Sequence, residues 1–150
     1  MKRVALLLLP LTVACASLSR AGSGGGAENP TSAIQQFLDG AKRKDLSAMA
    51  AVWGTERGLA SQSMGTKELE RRELIMIQCL GHEKAVLGTP AQSVGGRLRI
   101  PVQVMASDRK ATPMFTVVRG PKDRWFVENF EIDQLRDQGF CSAPATSPAP

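Results

Sequence analysis

The 150-residue chain is 43% hydrophobic, enough for one packed domain, yet only 5% aromatic and without tyrosine. Its formal charge is +5, and Lys2 and Arg3 at the extreme N-terminus supply two of those charges. Such an excess, with no Arg/Lys stripe interleaved with aromatics, is not the footprint of a nucleic-acid binder. The runs Lys42-Arg43-Lys44 and Arg71-Arg72 lie beside acidic residues and read as solvated helix faces.

In chain order, residues 1–14 read as a signal peptide: Lys2 and Arg3 open it, and an apolar run follows that is too short to span a bilayer permanently. The run ends Leu11-Thr12-Val13-Ala14-Cys15, which resembles a bacterial lipobox. That resemblance implies acylation of Cys15, a lipid anchor in the bacterial envelope and a domain facing the periplasm or exterior. The alternative is ordinary cleavage after Ala16, at the small-x-small site Ala14-Cys15-Ala16, and secretion. Residues 15–30 are rich in Gly and Ser and read as a flexible tether.

A domain is expected over residues 31–141. Ser32 and Gln35 have the spacing of a capping box, and Ile34, Phe37, Leu38 and Ala41 form one apolar face of a first helix. Asp45 caps a second helix whose stripe is Leu46, Met49, Ala50 and Trp53, with Gly54 as its C-cap. Thr55 to Gly65 reads as a loop. A third helix runs from about Thr66 to Leu80 on a stripe of Leu69, Met76, Ile77 and Leu80, with Glu68 and Arg72 paired at i, i+4.

A weak strand at Glu83 to Gly88 precedes three consecutive strands: Arg97 to Ala106, Ala111 to Arg119 and Arg124 to Ile132. Leu98, Ile100, Val102 and Val104 alternate with Arg97, Arg99 and Gln103, the pattern of a half-buried strand. In the last strand Trp125 and Val127 share one parity, Phe130 and Ile132 the other. A β-bulge near Glu128-Asn129 would bring all four to the core; the alternative is plain alternation with both faces covered. Residues 142–150 are a Pro/Ala/Ser tail expected to be disordered. The fold class is therefore α+β, three N-terminal helices packed on a curved antiparallel sheet of about four strands.

That order, the opening pair Ile34 to Lys44 running into Asp45-Leu46, and the closing strand Arg124 to Ile132 with Trp125 and Val127 before a bend resemble the nuclear transport factor 2-like (SnoaL-like) cone fold. The resemblance covers about Thr31 to Leu135. It implies a cone whose mouth, in the enzymes of the family, holds an acid/base pair. Steroid-isomerase-like members use an Asp with a Tyr, and this chain has no Tyr; dehydratase-like members use His, and here there is only His82. The fold hosts enzymes and binding modules alike. Trp53, His82, Glu128 and Asn129 are the candidate pocket residues, with no catalytic set, metal site or cofactor motif.

Cys79 and Cys141 remain once Cys15 is set aside. An exported domain with two mature cysteines is expected to bridge them, worth roughly 4 kcal/mol on the chain-entropy model; the alternative is two separate thiols, with Cys79 a small buried hydrophobe. The functional expectation is a lipid-anchored, non-catalytic domain that binds a small apolar molecule, a peptide or another envelope protein. Alternatives are a small enzyme of isomerase, cyclase or dehydratase type, or a structural accessory of an envelope complex.

Overall fold

The computed structural model describes residues 24–141. The expected signal peptide, Cys15, the first part of the expected tether and residues 142–150 lie outside the described residues.

Helix α1 spans Pro30–Arg43. Its cap is Asn29, not Ser32: the Asn29 side-chain oxygen accepts from the Ser32 N–H at 2.8 Å and from the Thr31 hydroxyl at 2.8 Å. Pro30 fits the first helical position because its missing N–H would have no partner there. The expected face is the buried one, with Ile34, Phe37, Leu38 and Ala41 all inside. Asp45 caps the short helix α2, Leu46–Ala50, by accepting from the Ala48 N–H at 3.0 Å. Trp53 is not on that helix. The chain straightens after Ala51, and Trp53 forms a parallel bridge with Val127.

The expected loop is partly structured. Strands β1 (Gly54–Thr55) and β2 (Gly58–Leu59) form a small hairpin, so Gly54 pairs in a ladder rather than capping a helix. Helix α3 spans Thr66–Cys79 and packs on α1 and α2.

The main sheet has six strands: β3 (Lys84–Leu87), β4 (Ala91–Gln92), β5 (Leu98–Ala106), β6 (Arg109–Ala111), β7 (Met114–Arg119) and β8 (Trp125–Phe130). The order is β3-β5-β7-β8, with β4 and β6 also paired to β5, and every pairing is antiparallel. β5 is the long central strand, and Ile100, Val102 and Val104 are buried while Arg99 is exposed. Two strands are shorter than expected. Thr112-Pro113 interrupts the ladder between β6 and β7, since Pro113 has no N–H to donate. The last strand ends at Phe130, and Ile132 opens a fourth helix, α4 (Ile132–Asp137).

The bulge is present. Thr116 pairs with Asn129 and Val117 with Val127, which leaves Glu128 as the extra residue. Trp125, Val127 and Phe130 therefore all join one core, with Ile132 packed at its margin. Phe115 and Phe130 stack at 5.2 Å between centroids, and Phe37 of α1 meets them at 6.5 and 6.2 Å. Helix α1 thus seats its aromatic on the sheet where the bulge bends it.

β8 has no further strand beside it, yet its outer edge is covered. Ala27 and Trp125 exchange N–H to C=O bonds in both directions at 2.8 Å, and the Val127 N–H donates to Val52 O at 2.9 Å. The Arg124 guanidinium donates to Gly26 O at 2.6 Å. Residues Gly24 to Asn29, counted with the tether from composition, are thus part of the domain, with Ala27 fully buried.

Candidate functional site

A cleft of about 420 Å³ opens between α3 and the bulged stretch of β8. Phe37, Met76, Val127 and Phe130 give it an apolar floor, and Trp53 contributes a partly buried wall. Arg72, Glu128 and Asn129 stand at its polar margin. The volume is within the range of small-molecule sites, and the mix of an apolar floor with a few polar groups is what such sites share.

The bulge builds this margin. Without the extra residue, Glu128 would sit in strict alternation; with it, Val127, Glu128, Asn129 and Phe130 all border the same cleft. Glu128 is not a free base there. Both of its oxygens accept from Arg97, at 2.6 and 2.7 Å, and Arg97 also reaches Glu56 at 3.0 Å. This bidentate geometry is the strong form of a charge-assisted pair. It raises the Arg97 pKa above its ordinary value, the Glu128 hydrogen bonds being the main cause. Arg72 is held by Glu68, whose carboxylate accepts from Arg72 at 2.6 Å and from Arg71 at 3.0 Å. The two guanidinium hydrogen bonds pull the Glu68 carboxyl down to about 2, Arg71 first and Arg72 second.

Of the four residues expected in a pocket, Trp53, Glu128 and Asn129 come together and His82 does not. His82 follows the end of α3, and its Nδ1 lies 2.7 Å from Leu80 O, a local contact that fixes the ring.

One residue of chemical interest was missed. Glu73, on α3 between Arg72 and Met76, is only 2% exposed, and its Oε1 has no hydrogen-bond partner among the described residues. Burial, with a smaller contribution from the charge of Glu70, pushes its carboxyl up to about 7. The signal was in the spacing. Position 73 follows Leu69 by four and precedes Met76 and Ile77 by three and four, so a glutamate occupies the middle of the apolar stripe.

Cys79 and Cys141 form a disulfide. It ties the last residue of α3 to the segment after α4, beside Phe140 and Leu135, both buried. Among the described residues no cluster of three or more His, Cys, Asp or Glu could hold a metal ion, and no helix is long and apolar enough to cross a membrane. Comparison with models of known families, with curated proteins and with solved structures finds no match to this chain.

Proposed function

We propose that this chain is a bacterial envelope lipoprotein, anchored through Cys15, whose domain is a non-catalytic binding module of the nuclear transport factor 2-like type. The apolar-floored cleft between α3 and the bulged strand carries this reading. Its floor suits a small apolar molecule, and its margin offers Asn129 and a guanidinium, Arg72, for one polar end of that molecule. The succession of helices, antiparallel meander and bulge supports the cone-fold assignment. The disulfide agrees with an oxidising compartment outside the cytoplasm.

The test is capture of the mature chain from solubilised envelopes, with bound small molecules identified by mass spectrometry, followed by titration with an apolar fluorophore. Saturable binding is expected, and Asn129→Trp, at an exposed position on the cleft margin, abolishes it without unfolding the domain. Absence of any co-purifying molecule together with non-saturable dye binding overturns the proposal.

A further inference from the structure

One end of the main sheet gathers the turn after β7, the β4–β5 loop, the β1–β2 hairpin and the start of the described chain. A Cβ placed on Gly24 would lie 3.9 Å from the Lys122 Nζ, and one on Gly58 would lie 3.8 Å from Pro121. Arg97, next to the β4–β5 loop, reaches Glu56 of the hairpin at 3.0 Å. Arg97, Arg119 and Trp125 line an open hollow of about 710 Å³ at this end, together with Gly95 and Gly96.

The end is positively charged. Arg57, Arg97, Arg119, Lys122 and Arg124 face four acids, Glu28, Glu56, Glu128 and Asp123, with Glu28 next to the Ala27 that pairs with Trp125. Two of those acids are committed to Arg97, and Asp123 lies a loose 3.7 Å from Arg119. Arg57 and Lys122 are exposed, and neither has an ion-pair partner among the described residues. Lys122 stands on the tip of its turn with a left-handed φ of 56°. On the β4–β5 loop, three residues before Arg97, Val94 is 93% exposed, held out on a turn that Gly95 and Gly96 close at φ 77° and 73°. A single exposed aliphatic residue is ordinary on its own; on a loop that shares this end with exposed cations it adds an apolar contact to a charged one.

The chain also reaches the domain at this end. Gly24 stands nine residues after Cys15, a span of at most roughly 30 Å when fully extended. We propose that this end docks on anionic lipid headgroups, Arg57, Lys122 and Arg119 meeting phosphates while Val94 enters the interface. The choice of which end faces the bilayer rests on the lipid-anchor reading; the charge and the exposed valine do not. Attraction of juxtamembrane cations to anionic lipid falls off within a Debye length, about 8 Å at physiological salt, so the tether lets this end reach the bilayer and the cations act only once it is in contact.

The test uses the mature chain made without the leader and with Cys15→Ser, so that no acyl chain contributes. It is floated with phosphatidylcholine vesicles, with and without phosphatidylglycerol, at low and physiological salt. Binding is expected only with phosphatidylglycerol and is weakened by salt. Arg57→Glu with Lys122→Glu is expected to weaken it about tenfold or more, and Val94→Asp several-fold, with thermal stability unchanged. Lys84→Glu with Lys110→Glu, at the opposite end of the sheet, leaves binding unchanged. Failure to bind, equal loss from both charge reversals, or equal affinity for polyglutamate overturns the assignment. Mass spectrometry of the native chain tests the anchor separately. An acylated chain whose Cys15→Ser form ignores the vesicles sinks the docking surface alone, whereas vesicle binding by a chain never acylated sinks the anchor alone.

Discussion

The two ends of β8 are closed by different means. Beyond its C-terminal end, α4 and Phe140 fold back, and a covalent bond from Cys141 to Cys79 holds them to α3. At its N-terminal end there is no cross-link, only fit. Ala27 hydrogen-bonds Trp125, and the Phe126 ring lies among Gly26, Gly54 and Gly120, where an added Cβ would come within 2.8 to 3.0 Å of it. The difference follows from what each end must hold down. Glu73 lies six residues before Cys79, on the order of 9 Å along the same helix, and its buried, unpaired carboxyl favours lifting α3 away from the core. The covalent tie is at the end with this liability. Among the described residues the glycine-lined end has no such group and closes by packing and hydrogen bonds.

Breaking the bridge tests the first half of the contrast most severely. Cys79→Ala with Cys141→Ala, or reduction of the native chain, is expected to lower stability by roughly 3 to 4 kcal/mol and to lower Tm, as read by calorimetry with and without reductant. Thiol counting on denatured, unreduced protein should find neither Cys79 nor Cys141 free. At the other end, Phe126→Ala is expected to cost about 3 kcal/mol, because Phe126 is 1% exposed and glycines cannot collapse into the space it leaves. A much smaller loss would mean that this end contributes little to stability.

Glu73 sharpens the link between helix and bridge. Its carboxyl is held up to about 7 in the folded chain, against an ordinary value of 4.5. Between those values the unfolded chain has given up a proton that the folded chain keeps. The contribution of Glu73 to stability is therefore greatest below about pH 4.5 and is lost as pH rises through 7. Glu73→Gln should flatten that slope in denaturant titrations across this range, and Glu73→Met should stabilise by about 1 to 3 kcal/mol at pH 8. In protein lacking the bridge, the effect of Glu73→Met should shrink, since a helix free to lift exposes the carboxyl anyway. The smallest effect expected is that of Glu128→Gln, about 1 kcal/mol, from one weakened charge-assisted bond to Arg97, measured as a shift in the denaturant midpoint.

Much of the scaffold was legible because it rests on periodicity. The stripe Ile34, Phe37, Leu38, Ala41 and the alternation along Leu98 to Val104 each fix a buried face, while the parity conflict between Val127 and Phe130 raises a bulge only as one of two readings, which the register of β7 and β8 decides. What escaped the sequence depends on partners distant along the chain. Nothing local says that Ala27 will pair with Trp125, so a glycine-rich run reads as tether until the exposed edge of β8 is known. Asn29 outcompeted Ser32 as cap because Pro30 fixes where the helix begins. Of the cleft, Trp53, Glu128 and Asn129 were within reach of sequence reasoning, whereas Phe37 and Met76 read only as core. Glu73 stands at a position where the apolar stripe of α3 turns polar, and a carboxylate there reads as solvent-facing until its burial is known.

The pairing of Ala27 with Trp125 carries a consequence for handling this protein. That short segment occupies the last open hydrogen-bonding positions at the start of β8. A chain clipped by a protease between Gly26 and Asn29, or expressed from residue 30 onward, would present the freed backbone groups of Trp125 to solvent. Beside them Trp125 and Phe126 would lose cover. An uncapped strand of this kind recruits whatever extended segment comes first, including the same strand of a neighbouring molecule. The few residues ahead of α1 thus act as a built-in guard against self-association, and preparations that omit them should be prone to form oligomers.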